Sequence, residues 1–116
     1  MIISKDNKIP ALYAQEEVSD PLVYVSIQIG AAFWLLTELD REKELAFGYA
    51  ELFDGGGELG YIYLPEIEDI VKEKSGVQGV VLEYKEPVPL SKMKKEFKVK
   101  TEEITKTMNL ERILWI

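Results

Sequence analysis

The sequence predicts an α+β fold: an antiparallel sheet of about five strands, one main helix near residues 65–75 and short carboxy-terminal elements. Three observations support this prediction. Side chains alternate between apolar and polar from Leu22 to Ile29, the pattern of a half-buried strand. Three glycines at 55–57 separate two aromatic-rich segments and suit the tight turn of a hairpin. Pro65 follows the second segment, at the first helical position that proline favours.

The strands are predicted in chain order, each ended by a turn or a charged loop. They cover residues 22–29, 33–39, 45–53, 58–64 and 79–85. In the second strand, strict alternation places Phe33, Leu35, Thr37 and Leu39 on one face and Trp34, Leu36 and Glu38 on the other. In the same way, Val23 is expected to share a face with Val25 in the first strand.

The main helix is predicted from its charges as well as from Pro65. Acidic residues at its start and lysines at its end complement the helix dipole. Beyond the fifth strand, residues 91–96 are expected to form a short helix and residues 97–100 a short strand. The last apolar run, residues 109–116, fits either a helix capped by Asn109 or a strand.

Composition indicates a single folded domain over residues 1–116. The apolar fraction of 47% is typical of a globular chain. No apolar run approaches the ~20 residues of a membrane span, and the first residues lack the layout of a signal peptide. A cytoplasmic location without membrane contact is therefore expected.

The chain has no histidine and no cysteine, which excludes many kinds of active site. Imidazole bases, catalytic triads, cysteine nucleophiles and the usual zinc sites all need one of these residues. No phosphate-binding loop of the Gly-x-x-x-x-Gly-Lys type is present either. We expect no cofactor and no metal, and a non-enzymatic protein is the favoured interpretation.

Charge is distributed unevenly along the chain. Residues 1–70 carry 4 basic and 14 acidic side chains, a net charge of −10, whereas residues 71–116 carry 10 basic and 7 acidic, a net charge of +3. The total of −7 repels nucleic-acid phosphates, so direct nucleic-acid binding is disfavoured. The exception is a lysine-rich segment: Lys92, Lys94, Lys95, Lys98 and Lys100. It is expected to be a solvated face, and a nucleic-acid site there is one alternative.

Four carboxylates offer a second alternative, an enzyme. Glu38, Asp40, Glu58 and Glu66 could hold a divalent metal or share acid and base roles in a hydrolase or nucleotide-binding enzyme. Spacing alone does not show that they converge. Structural or solvated roles are the favoured interpretation.

Aromatic residues near these acids suggest a protein-binding surface. Trp34, Tyr61 and Tyr63 are expected to share a sheet face, either packed beneath the helix or exposed with an acidic rim. The candidate contact residues are Trp34, Glu38, Glu42, Glu44, Glu51, Asp54, Glu58, Tyr61 and Tyr63. The expected partner is a host protein or complex, for example one with a basic nucleic-acid channel, and a homo-oligomer is the alternative.

Short motifs in a fixed order make residues 9–93 resemble the bacterial family called domain of unknown function 2958. They are Pro10-Ala11-Leu12, Gln15-Glu16, Asp20-Pro21, Val23-Tyr24-Val25, Trp34, Thr37-Glu38-Leu39-Asp40, Phe47-Gly48, Glu58-Leu59-Gly60-Tyr61, Leu64-Pro65-Glu66-Ile67, Glu83 and Pro87-Val88-Pro89-Leu90. The segment 27–32 is less aromatic than the family pattern, and the triple glycine is unusual for it.

The resemblance divides the domain into a family-like core at 9–93 and a carboxy-terminal extension at 94–116. It implies a bacterial or mobile-element origin, such as a plasmid or phage, and supplies no catalytic residues. A modulator or inhibitor of host defence or nucleic-acid processing is the function it suggests. In the motif Glu58-Leu59-Gly60-Tyr61, Gly60 lies in a predicted strand, where glycine weakens pairing. A close approach of backbone or ring is therefore expected at Gly60, and Gly60→Val is expected to destabilise the fold.

Overall fold

The fold is an antiparallel six-stranded sheet with one helix against each face. The structure is a computed structural model, and it describes residues 1–52, 56–73, 78–97 and 110–115. The strands are β1 (Leu22–Ile29), β2 (Ala32–Asp40), β3 (Leu45–Glu51), β4 (Gly57–Tyr63), β5 (Gly79–Pro89) and β6 (Leu110–Trp115). The helices are α1 (Leu64–Glu73) and α2 (Leu90–Phe97). The strand order is β4-β3-β2-β1-β5-β6, which places β4 at one edge.

The predicted α+β class is confirmed, with the five predicted strands and the main helix in place. The apolar run that fitted a helix or a strand forms β6, antiparallel to β5. The strand predicted at 97–100 is wrong at Phe97, which ends α2, and its remaining residues lie outside the described part. No helix among the described residues has the length and apolarity needed to cross a bilayer.

Both faces of the sheet are covered near its centre, because each has its own apolar cluster. On one face, called face A, α1 contributes Leu64 and Ile67 to a cluster that includes Trp34 and Ile62. On face B, α2 contributes Met93 and Phe97 to a cluster with other aromatic rings. The central strand β2 is consequently buried on both faces, which explains its nearly continuous apolar sequence.

Irregular pairing in β1 and β2 corrects the predicted facing of several side chains. The β2–β3 register shifts between Leu36 and Glu38, so that Thr37 is an extra residue. A bulge of this kind reverses the facing of the residues after it. Leu39 therefore joins Trp34 in the face A cluster, and a similar shift in β1 separates Val23 from Val25.

The amino-terminal segment is fastened across the sheet by a buried carboxylate. Glu83 on β5 is 1% exposed and accepts hydrogen bonds from the Ser4 backbone and hydroxyl at 2.9 and 2.7 Å. It also accepts one from the Asn7 side chain at 3.2 Å. Arg41 donates to the carbonyls of Ser4 and Asn7. These bonds hold the segment against face A, where Ile3 and Ile9 enter the cluster.

Helix α2 is capped by a distant loop. The carboxylate of Asp20 accepts hydrogen bonds from the Ser91 backbone N–H at 2.9 Å and from its hydroxyl at 2.7 Å. The Leu90 N–H donates to the carbonyl of Pro21 at 2.8 Å. The Asp20-Pro21 motif thus satisfies N–H groups that the first turn of a helix leaves without partners.

Candidate protein-binding surface

The predicted aromatic trio is divided between the two sheet faces. Trp34 pairs with Ala50 on face A, beneath α1, and is only 8% exposed. Tyr61 pairs with Phe47 on face B, and the two rings meet edge to face at 5.4 Å. The expectation that Trp34 and the tyrosines share a face is therefore wrong. It failed because the register between strands, which sequence alternation does not give, decides which residues align.

Exposed apolar side chains concentrate around the edge strand β4. In the described residues the large exposed ones are Met1, Tyr13, Val18, Leu52, Leu59, Tyr61 and Tyr63. All except Met1 lie on β4 or line the depressions beside it. We call Tyr13, Val18, Leu59, Tyr61 and Tyr63 the β4 surface. Its strand residues project from face B beyond the area that α2 covers.

Tyr13 is held at this surface in a strained conformation. Its φ of 74° lies in the left-handed region, which non-glycine residues seldom adopt. The buried carboxylate of Glu38 accepts hydrogen bonds from the Tyr13 and Gln15 N–H groups at 2.8 and 2.6 Å. The Tyr13 hydroxyl lies 2.8 Å from that of Tyr61. Glu38 therefore fixes the loop so that two exposed rings meet.

Hydrogen bonding also affects ionisation at this surface. The contact with Tyr13, with smaller effects from burial and from the nearby charges of Glu16 and Glu38, raises the pKa of Tyr61. The Tyr61 hydroxyl consequently remains neutral at physiological pH, where it can donate as well as accept a hydrogen bond.

The two bonded tyrosines separate two open depressions. One, of about 720 Å³, is lined by the segment from Ile9 to Tyr13 and by the turn after β2. The other, of about 280 Å³, contains Val18, Phe47 and Leu59. A third groove of about 370 Å³ lies on face A between β4 and α1, with Gly60, Trp34 and Ile67 in its lining. The β4 surface is thus bordered by concave regions on both faces of the strand.

The four candidate carboxylates do not converge on one site. The Glu38 carboxylate accepts hydrogen bonds from the Tyr13 loop. The Asp40 carboxylate accepts one from the Lys43 N–H in the turn after β2. Glu58 and Glu66 line the groove between β4 and α1, whereas Asp40 and Glu38 each line a different depression. Within the described part of the chain, no group of three or more carboxylates is arranged to hold a metal ion.

Three of the remaining acidic candidates, Glu42, Glu44 and Glu51, are spread over β3 and the turn before it. Glu42 is exposed in the turn, whereas Glu44 has a φ of 53° and accepts the Leu64 N–H through its carbonyl. Glu51 accepts a hydrogen bond from the Tyr49 hydroxyl at 3.0 Å, so it has a structural role. Asp54 lies outside the described residues. Glu42, Glu44 and Glu51 flank the β4 surface without forming one cluster.

The prediction that Gly60 accommodates a close approach is wrong. A Cβ added at Gly60 would have no atom within 4 Å. Its partner in the adjacent strand, Gly48, is the crowded position, since a Cβ there would overlap the Leu35 carbonyl. At Gly57 a Cβ would overlap the Tyr49 ring. Gly60 instead leaves open space in the groove between β4 and α1.

The lysine-rich segment lies partly on α2. Lys92 and Lys95 are exposed, and the Lys94 ammonium lies 4.5 Å from the centre of the Tyr49 ring. A cation over a ring face is attracted by the ring's electrons. Lys98 and Lys100 lie outside the described residues.

Residues 4–100 match the family described as protein of unknown function DUF2958. The chain belongs to this family. No curated protein and no solved structure matches it. The match extends slightly beyond the resemblance at 9–93 and includes Ser4 and Asn7, two residues that bind Glu83.

Four motifs of this DUF2958 chain hold its loops together. Glu38, Glu83 and Asp20 bind backbone N–H groups, and the Gln15 side chain bonds to Leu22 and to the Thr37 carbonyl. The motif Glu58-Leu59-Gly60-Tyr61 differs, since Leu59 and Tyr61 are 52% and 56% exposed.

Sequence reasoning missed three members of the surface: Tyr13, Val18 and Leu59. Tyr13 and Val18 belong to a loop whose position depends on hydrogen bonds that its N–H groups donate to Glu38 of β2, which no periodic pattern reveals. For Leu59 a signal existed, because it alternates with Tyr61 and Tyr63 along the strand. The missing information was that β4 lies at the edge of the sheet.

Proposed function

We propose that this protein acts by binding another protein through the β4 surface. The observation that carries the proposal is the concentration of exposed apolar side chains along one edge strand and its neighbouring loop. Contiguous apolar patches with a polar rim are typical of interaction sites, and tyrosine is enriched among the residues that contribute most to binding. The strained loop at Tyr13 adds support, because such strain clusters at functional positions.

The partner we propose is a basic host protein or complex in the cytoplasm. The net charge of −7, with −10 in residues 1–70, favours encounter with a positive surface and disfavours direct contact with nucleic acid. A chain from a plasmid or phage could in this way occupy the basic channel of a defence or nucleic-acid-processing complex and inhibit it.

Affinity capture from a bacterial host lysate, with mass spectrometry, tests the proposal. The double variant Leu59→Ser/Tyr61→Ser is expected to lose specific partners that the unmodified chain retains, while its denaturation midpoint stays close to the original. The control is Lys92→Glu/Lys95→Glu on exposed positions of α2, which is expected to retain those partners.

The opposite result would overturn the proposal. If the lysine variant loses its partners and the β4 variant keeps them, the basic segment is the contact surface. If a purified partner binds both variants with unchanged affinity, neither surface carries the function.

A further inference from the structure

The outer edge of β4 presents backbone groups without a neighbouring strand among the described residues. The Leu64 N–H donates a hydrogen bond to the Glu44 carbonyl. In this register, the backbone N–H and C=O groups of Ile62, Gly60 and Glu58 point toward β3. In an antiparallel pair, alternate residues turn both backbone groups the other way. The N–H and C=O groups of Gly57, Leu59, Tyr61 and Tyr63 consequently point outward from the sheet.

The side chains beside this edge differ between the two faces. On face B, Leu59, Tyr61 and Tyr63 form an exposed apolar row. On face A, the groove between β4 and α1 has apolar walls, with Trp34 and Ile67 in its lining. Glu58 and Glu66 are exposed carboxylates in the same lining, and Gly60 leaves space between the strand and the helix.

We propose that β4 binds an extended segment of the partner protein as an additional antiparallel strand, and that a lysine or arginine of this segment enters the groove at Gly60. The segment's apolar residues lie against Leu59 and Tyr61, and the cation lies near Glu58 and Glu66. This inference rests on the proposed function and adds the conformation and charge of the partner. Strand addition is a common mode of peptide recognition, with backbone bonds giving affinity and side-chain sites giving specificity.

Charge complementarity selects this occupant. A long cationic side chain can place its methylene groups on apolar walls while its charged end reaches carboxylates. Antiparallel pairing is chosen because every strand pair of the described sheet is antiparallel. A second copy of the chain is the less favourable occupant, since it would bring another net charge of −7 to the same edge.

The antiparallel pairing determines which residues of the segment bond to β4 and which enter the groove. Cross-strand neighbours project on the same face, so residues opposite Leu59 and Tyr61 bond to β4 and project on face B. The residue opposite Gly60 projects into the groove and turns its own N–H away from β4. An alternating apolar–cationic sequence therefore fits the edge.

A blocked synthetic peptide of alternating valine and lysine serves as the probe, with a valine–glutamate peptide as its control. In a titration followed by NMR, the lysine peptide is expected to shift the amide signals of residues 57–63 in a saturable way. The glutamate peptide is expected to leave them unchanged. N-methylation of the valines should abolish binding, and N-methylation of the lysines should preserve it, because only the valine N–H groups face β4.

Variants of the protein test the groove separately. Gly60→Val is expected to weaken lysine-peptide binding about tenfold or more without lowering the denaturation midpoint, because the Cβ meets no atom within 4 Å. Glu58→Gln/Glu66→Gln is expected to weaken binding and its salt dependence. The matched control, Glu42→Gln/Asp69→Asn, removes the same charge from positions outside the groove lining and is expected to bind normally.

Three outcomes would overturn this inference. They are equal binding of both peptides, binding that tolerates methylated valines, and a dimer at neutral pH that Leu59→Lys dissociates. The last would assign the edge to a second copy. If any of these occurs while Leu59→Ser/Tyr61→Ser still loses its captured partners, the proposed function stands and only strand addition fails.

Discussion

At the scale of single residues, the buried carboxylates hold backbone in place. Glu38 and Glu83 are 4% and 1% exposed, and each accepts hydrogen bonds from a loop or terminal segment. Such charge-assisted bonds are stronger than neutral ones and offset part of the cost of burying a charge. In the described residues no buried side-chain N or O atom lacks a hydrogen-bond partner. These acids are therefore fully used by the fold.

A pair of glycines gives a test at the same scale. Gly48 and Gly60 face each other in the register, but only at Gly48 would a Cβ overlap a backbone carbonyl. Gly48→Ala is expected to lower the free energy of unfolding by about 1–3 kcal/mol through overpacking. Gly60→Ala is expected to change it by less than about 0.5 kcal/mol. Chemical denaturation measures both, and a larger loss for Gly60→Ala would contradict the space assigned here.

At the scale of elements, α2 depends on a residue far away in sequence. Asp20 caps the helix from the loop before β1, while Leu90 bonds to the carbonyl of Pro21. The helix covers the face B cluster with Met93 and Phe97. The loop, the helix and the cluster should therefore be stabilised together, since loss of the cap removes partners from the first helical turn.

This cap predicts a dependence on acid. The hydrogen bonds from the Ser91 hydroxyl and N–H lower the pKa of Asp20 below its ordinary value of 3.8. Because the folded-state pKa is depressed, the stabilisation is present above 3.8 and is lost as the pH falls through the folded-state value. The free energy of unfolding of the unmodified chain should exceed that of Asp20→Asn by a constant amount near neutral pH. This difference should shrink at lower pH. Thermal unfolding across pH measures this, with Glu17→Gln, an exposed acid, as the control. An advantage that grows on acidification would contradict the sign.

At the scale of the whole molecule, net charge opposes the association that an open edge invites. Natural sheets protect edge strands with charges, bulges or covering segments. The β4 strand has exposed Leu59, Tyr61 and Tyr63 on one face and a groove on the other. The net charge of −7 then contributes to keeping copies apart at neutral pH.

Self-association should therefore increase near the isoelectric point of about 4.7, where this repulsion disappears. Light scattering as a function of pH measures the effect. Leu59→Lys is expected to suppress the association, because lysine on an edge strand blocks pairing. Ala31→Lys adds the same charge at the exposed β1–β2 turn and is the control. Equal suppression by both variants would show that the added charge reduces self-association regardless of whether it lies on the edge strand.

The sequence by itself determined the α+β class, the first five strands and α1, because these depend on local alternation, turn residues and helix-end charges. The sequence did not predict bulges such as the one at Thr37, because a register shift arises from pairing between strands. Only the tertiary structure decided that Trp34 lies under α1, that Glu38 fixes the Tyr13 loop and that β4 is an edge. Each of these depends on contacts between residues distant in sequence, which local patterns do not encode. The candidate surface is therefore formed by the tertiary structure and could not be predicted from any one sequence motif.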